Sequence, residues 1–318
     1  MPWSHLALYS SLSVGASLLF LTLVFRPLEM AFPAKPGQKF FRRHFWLDLC
    51  FLLGQYLLWG GIVFAILIHF GGRIGALLPG GFRAAVAGQP WWLQAVDVIV
   101  LSDFFIYWGH RLQHNNAFLW RFHSVHHTAE HLDWLAAHRE HPLDTVYTMG
   151  LINLPAFILG FPLETLAGLI AFRGIWAIYI HSNVRLTIRP VRWLIGAPEL
   201  HHWHHDKDRN AGNYANISPV MDLLFGTYVC PDHEPAAFGV RERSPNNYVA
   251  HMVGPLLPRR TRIAIAWRWR RIVRRRTPQN TGFQPVSATP QAQSLCHDVT
   301  SHQTASPPPA GMPVPSSA

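Results

Sequence analysis

Charged side chains are scarce in this sequence. Only 14% of its 318 residues are Asp, Glu, Lys or Arg, while 49% are hydrophobic; soluble domains carry roughly 25% charged residues. That shortage argues against a soluble domain and for a membrane protein. Cysteine is also sparse. Cys50, Cys230 and Cys296 are odd in number and widely scattered, which argues against a disulfide framework or a CxxC zinc site. The HExxH signature of zinc proteases is missing, because Arg111 follows His110. A carboxylate-bridged di-iron bundle needs Glu-x-x-His pairs, but Glu130 and Glu140 each stand directly before a histidine. No GxGxxG follows a strand pattern, and no haem-binding segment of the cytochrome b5 kind is present. The net charge of +10 is concentrated in Arg259 to Arg276. An acidic membrane surface therefore suits the chain better than a nucleic acid.

Several apolar runs are long enough to matter. Leu6 to Phe25 can span a hydrocarbon core of roughly 30 Å at about 1.5 Å per residue. Residues Met1 to His5 lack Lys and Arg and no small-x-small site precedes Arg26, so an uncleaved anchor is expected rather than a signal peptide. Leu49 to Phe70 reads as a second span, Gly71 to Pro90 as a loop, and Trp91 to Trp108 as a third span. Thr145 to Phe161 and Leu163 to Ile180 read as a hairpin that enters or crosses the bilayer. Lys35, Lys39, Arg42 and Arg43 lie between the first two spans. By the positive-inside rule that loop is cytosolic, and counting spans from it sets every histidine cluster on the cytosolic face. Arg259 to Arg276 interleaves Arg with Trp267 and Trp269 and suits either an interfacial helix or a solvated basic one. Residues 277–318 are rich in Pro, Ser, Thr and Gln and read as disordered. The expected divisions are 1–90 for the first spans and loops, 91–258 for a catalytic region, 259–276 for the basic helix, and 277–318 for the tail.

What the chain has in abundance is histidine, 20 in all. Three clusters stand out: His110-x-x-x-His114, His123-x-x-His126-His127, and His201-His202-x-His204-His205. Spacings of three and four place side chains on one helix face. Neutral imidazole suits iron, zinc, copper or nickel, and three such faces offer more nitrogens than one tetrahedral ion needs. The expectation is a two-metal site built almost wholly of imidazole. Transporters usually keep ligands near the bilayer midplane. Clusters beyond span ends favour a reaction centre, with a non-catalytic metal-binding or transport protein as the alternative. Ligating imidazoles usually donate their second N–H to a carboxylate or carbonyl. Asp103, Asn183, Asp206 and Asp222 are the candidates for that supporting role; Asp103 lies seven residues, or two helical turns, before His110. Trp108, Trp120 and Trp203 suit an interfacial belt.

The segment Asp103-Phe-Phe-Ile-Tyr107-Trp108-Gly-His110-Arg-Leu-Gln-His114 resembles the first histidine box of the fatty acid hydroxylase/sterol desaturase superfamily. The clusters at His123 and His201 resemble its second and third boxes. Arg139-Glu-His141-Pro-Leu-Asp144, His181-Ser-Asn183 and the stretch from Asn213 to Thr227 are lesser matches. The resemblance runs from about Asp97 to Tyr228. It implies an all-α, multi-span membrane bundle with a cytosolic helical cap around two iron ions. It also implies oxygen-dependent hydroxylation or desaturation of a lipid such as a fatty acyl chain or sterol, with electrons from a separate reductase or carrier. Ligand roles are implied for His110, His114, His123, His126, His127, His181, His201, His204 and His205. Some relatives carry a further histidine four residues before the position of His181; Ala177 stands there. His141, His138 and His202 are the candidates for a tenth ligand, His141 first.

Overall fold

Helices of two lengths build the protein, and the long ones carry the apolar runs of the sequence. The computed structural model describes residues 3–261, apart from Thr187, Ile188, Arg209, Arg243 and Arg259. The basic stretch 259–276 and the tail 277–318 therefore lie almost wholly outside the described residues. Helix α1 runs Trp3–Ala31 and α2 runs Phe45–Gly54. One π-helical turn, Gln55–Trp59, joins α2 to α3 (Gly60–Gly75). Then come α4 (Gly80–Ala87), α5 (Trp91–Asn115) and α6 (Ala117–His123). Helix α7 spans Pro142–Leu159 and α8 spans Leu163–His181. Three short helices follow: α9 (Pro198–His204), α10 (Val220–Leu224) and α11 (Tyr248–Val253). Among the described residues there are no strands, only two isolated bridges.

Four stretches are long and apolar enough to cross a membrane: Leu12–Ala31, Phe45–Gly75, Trp91–Asn115 and Pro142–Leu159. Leu166–His181 is a shorter apolar helix. Leu19, Leu23, Leu57, Ile62 and Val100 point outward on these helices, each more than 40% exposed. An outward apolar belt of this kind is what a bilayer covers and what water would not tolerate. The protein is an integral membrane helical bundle.

Two expectations need correction. Residues 71–90 are not a plain loop: α3 continues to Gly75 and α4 fills Gly80–Ala87, with Pro79 directly before α4 and Pro90 directly before α5. The third apolar run does not stop at Trp108. Helix α5 continues unbroken to Asn115, so His110 and His114 ride on the spanning helix itself. Asn116 then ends it and caps α6, accepting the N–H groups of Phe118 and Leu119.

Small residues set the packing. Helix α7 lies against both α3 and α5. Gly71 faces Phe157, and Gly109 faces Leu151 and Tyr147, so the backbones approach where a side chain would intrude. A buried ionic network ties the loop before α2 to the histidine-bearing segment. The Arg42 guanidinium donates to both Asp133 oxygens at 2.5 Å and to Asp48 at 2.7 Å. The second Asp48 oxygen accepts Arg139 Nε at 2.5 Å. Asp133 also accepts the N–H groups of Leu135 and Ala136. Glu29, at the end of α1, accepts the N–H groups of Trp134 and Asn183. The 32–44 loop and the histidine-bearing segment thus share one end of the bundle.

Candidate metal centre

Helix ends deliver the histidines. His110 and His114 sit in the last two turns of α5, and His123 is the final residue of α6. His126 and His127 open a short 3-10 turn. His181 ends α8; His201 and His204 lie in α9, with His205 as its C-cap. The ring nitrogens collect into two buried groups. His110, His114, His123, His127 and His204 form one; His126, His181, His201 and His205 form the other; the donor atoms in each lie within 4.8 Å of one another. All nine histidines expected as ligands, eight from the cluster spacing and His181 from the family resemblance, are therefore brought together.

The single-face expectation for the second cluster does not hold, because the chain leaves α-helical geometry after His123. A different rule applies. Rings four apart (110 and 114, 123 and 127, 201 and 205) share a group, whereas the residue at the third position of each x-x-His-His cluster crosses to the other group. His126 leaves its neighbours for the second group, and His204 does the reverse.

The tautomers show what the groups are built to hold. A carbonyl can only accept, so a ring nitrogen facing one must carry the proton. His110 Nδ1 donates to the Tyr214 carbonyl at 2.9 Å, His126 Nδ1 to Arg139 at 3.2 Å, His181 Nδ1 to Ala177 at 2.6 Å, and His204 Nδ1 to Gly212 at 2.8 Å. His123 Nδ1 donates to the Asp144 carboxylate at 3.0 Å. In neutral rings each Nε2 is then a bare lone pair. Yet His110 Nε2 and His123 Nε2 are 3.0 Å apart, and His126 Nε2 and His181 Nε2 are 2.9 Å apart. His201 and His205 add further Nε2 contacts with His181 at 2.9 and 3.2 Å, and His204 Nε2 is buried with no hydrogen-bond partner. Lone pairs facing at such distances repel. Two nitrogens each about 2.0–2.1 Å from one cation stand roughly 2.9–3.3 Å apart, so a cation between them turns the repulsion into ligation. The donor set fits a metal pair.

Electrostatics keeps the rings ready for that. Burial first, and neighbouring rings second, hold His123, His126, His127, His201, His204 and His205 well below the usual histidine value. They are neutral near pH 7, the form that ligates.

The three candidates for a tenth ligand stand outside both groups. His141 caps α7: its Nδ1 accepts the Leu143 N–H and its Nε2 donates to the Met252 carbonyl. His202 faces acceptors on both sides, Glu234 at 2.6 Å and the Ser182 carbonyl at 3.0 Å. Although burial opposes it, the His202 hydrogen bond helps hold the Glu234 carboxyl below its usual value. His138 packs against Tyr56, and burial pushes its ring down to about 4.

The expected supporting carboxylates also differ from those observed. Asp103 accepts the N–H groups of Ile217 and Ser218 and pairs with Arg173. Asn183 binds the Lys35 backbone in both directions. Asp206 accepts the Asp208 N–H. None of these three is hydrogen-bonded to a ring. Asp222 works one step removed: it accepts the Tyr214 and Ala215 N–H groups and so fixes the carbonyl that orients His110. The carboxylate that touches a ring of the two groups is Asp144, further held by Gln113 Nε2 at 2.6 Å. Its place in the Arg139–Asp144 match was the available signal. The four backbone carbonyls carried no signal, since every residue type has one.

A cavity of about 110 Å³ opens against rings of both groups. Ile106, Met149, Ile152 and Ile170 supply much of its apolar wall, and His110, His123, His126, His181 and His201 stand at one part of it. Glu140 lines it as well; burial pushes its carboxyl up to about 7, and Thr145 Oγ1 donates to it at 3.1 Å.

Residues 95–227 match the sequence model of the fatty acid hydroxylase family. Ornithine lipid hydroxylase OlsE from Rhizobium tropici is 30% identical over 213 residues, which cover 61% of this chain and 64% of that protein. Alkylglycerol monooxygenase from Homo sapiens is 29% identical over 155 residues, 48% of this chain and 34% of its own. A Delta(7)-sterol 5(6)-desaturase from Gibberella zeae is 33% identical over 137 residues, 42% and 37% respectively. The chain spans less than two thirds of the length of each of these relatives. No solved structure matches.

Proposed function

We propose, from the match of residues 95–227 to the fatty acid hydroxylase family model, that the chain is a membrane oxidoreductase that uses O2 to hydroxylate, or desaturate, a C–H bond of a lipid. The observation that carries this reading is the pair of convergent imidazole groups, with bare Nε2 atoms facing one another, beside an apolar cavity. Hydroxylases, a monooxygenase and a desaturase among the relatives agree in reaction type.

His110, His114, His123, His127 and His204 would hold one iron ion; His126, His181, His201 and His205 would hold the other. Bound there, the ions supply the oxidising power that protein side chains lack. The residues of this chain do the rest. The Tyr214, Arg139, Ala177 and Gly212 carbonyls and the Asp144 carboxylate fix each ring's tautomer and direction. The isoleucines and Met149 hold an alkyl chain and exclude water. Glu140, poised near neutrality, can hold a proton at its carboxyl on the cavity wall. Hydroxylation consumes one O2, two electrons and two protons per C–H bond and releases one water. The electrons come from a separate donor.

The centre is read as cytosolic. The 32–44 loop shares its end of the bundle, and Lys39 and Arg43 are exposed there, Arg43 paired with Glu130 at the surface, so the positive-inside rule counts them. Arg42, by contrast, is consumed in the buried network.

The test uses purified full-length protein reconstituted in lipid with Fe(II), O2 and a reductant. Lipid-dependent O2 consumption and an oxidised lipid product are expected, with two irons per chain. His126→Ala loses iron and turnover, whereas His69→Ala, at an exposed position, changes neither. Full iron content with no oxidation of any membrane lipid would leave only a metal-binding protein.

A further inference from the structure

A cation sits deep in the bundle, away from the rings. Arg173 lies in the middle of α8, is 4% exposed, and lines the same cavity as the histidines. Charged residues buried in the apolar interior of a membrane bundle usually mark function. Its partners account for only part of it. Nη2 donates to the Ile99 carbonyl at 3.2 Å and stands 3.6 Å from Asp103. Nε and Nη1 are buried and have no hydrogen-bond partner. A guanidinium left with two bare donors in an apolar bundle is costly unless something accepts from them.

Depth along the helices says where that acceptor would lie. Arg173 precedes His181 by eight residues on α8, a rise of about 12 Å. Asn153, on α7, lines the cavity too and follows Asp144 by nine residues, a rise of about 13–14 Å. Two helices therefore set polar groups at similar distances from the ring level, with Met149, Ile152 and Ile170 among the apolar residues of the same cavity.

Charge narrows the class of ligand. Arg173 and Asp103 already neutralise one another, so a carboxylate at this point would leave a net negative charge in a low-dielectric bundle. An uncharged acceptor satisfies the bare N–H groups without that penalty. We propose that Arg173 is the polar anchor for the substrate and binds the uncharged ester or amide carbonyl of a lipid, so that the carbon presented to the histidines lies several methylenes along the chain. This rests on the oxidoreductase reading for its purpose, but the binding step is separable from it.

The test measures binding, not turnover. Full-length Fe(II)-loaded protein in nanodiscs of a dialkyl ether phosphocholine, which carries no ester carbonyl, is titrated with octadecane, octadecanamide and octadecanoate, each displacing a fluorescent alkyl probe. Comparing proteins cancels each probe's partition into lipid. The wild type prefers the amide to the alkane, and Arg173→Met lowers that preference by about 10- to 100-fold. Arg173→Lys, which keeps the charge toward Asp103 but not the planar fork, lowers it several-fold and decides the matter if the methionine variant does not fold. An unchanged amide-to-alkane ratio in the variants would make Arg173 a strap between α8 and α5 and nothing more. Octadecanoate bound as tightly as the amide by the wild type would overturn the uncharged class. Iron is assayed in parallel, so loss of metal with the preference intact counts against the metal centre and not against the anchor.

Discussion

Replacing Asp144 by asparagine changes one atom and removes one charge, and the geometry around it fixes the outcome. One carboxylate oxygen accepts His123 Nδ1 at 3.0 Å and the other accepts Gln113 Nε2 at 2.6 Å. Both neighbours are donors. An asparagine can accept from only one of them, so either Gln113 turns its amide over to present Oε1 to the new NH2 or one donor–donor contact remains; in both cases the charge that strengthened the His123 bond is gone. Asp144 and His123 are each about 95% or more buried, so water cannot relieve the loss. A hydrogen bond to a charged group is worth about 1.5–3 kcal/mol. His123 would turn away, or move its proton to the Nε2 that should bind metal. Loss of such a supporting partner typically weakens metal binding by about 10- to 100-fold, which is about 1.4–2.7 kcal/mol. The assay is iron affinity by competition with a chelator, read alongside helix content. Asp206→Asn, which touches no ring, is the control and should keep its iron. Unchanged affinity in Asp144→Asn with intact helices would refute the claim that this carboxylate fixes the ring.

Three other outcomes follow from particular contacts. Gly212 has φ +94°, and a Cβ there would meet the Thr227 carbonyl oxygen at 2.2 Å; Gly212→Ala should cost about 1–3 kcal/mol and, by moving the carbonyl that holds His204, lower iron content, both checked by thermal melt and metal analysis. Asp48→Ala leaves Arg42 and Arg139 buried without their shared partner; a loss of about 3–5 kcal/mol is expected, and an unshifted melt would show the network idle. In the metal-free protein, burial holds the His138 and His251 rings at about 4. Between about pH 4 and 6.5 the unfolded chain binds more protons than the folded one, so stability is complete above that window and falls on acidification, by up to about 1.4 kcal/mol per pH unit for each ring; His251→Gln should make the decline shallower, and denaturation midpoints across pH would show it.

Much of this protein was legible as pattern. Apolar runs located the spanning helices, since bilayer thickness demands length, and the spacing of histidines located eight of the nine rings; His181 came from the family resemblance alone. What the pattern could not show was how they sort. His126 changes groups where the chain leaves α-helical geometry after His123, and His204 does so from within α9; which group a ring joins depends on the elements packed around it, and spacing along one element does not carry that. Carbonyl partners were invisible for the reason already given. Carboxylates misled differently: Asp103 has the right helical spacing from His110 but spends its oxygens on Ile217, Ser218 and Arg173. The 71–90 stretch reads as a loop because its glycines and prolines dominate, yet proline at a helix start and glycine beside it are compatible with α4.

The crossing of His126 and His204 has a consequence for how the protein is made. Neither nest of rings can be completed by a contiguous piece of chain: the early one waits for residue 204, and the later one needs residue 126 already in place. A nascent polypeptide halted before α9 would own parts of two receptacles and the whole of none. Metal uptake would thereby be postponed until α9 has docked, and an ion seated in either nest would stitch the first half of the segment to the second. Cargo acquisition doubles as an inspection of topology.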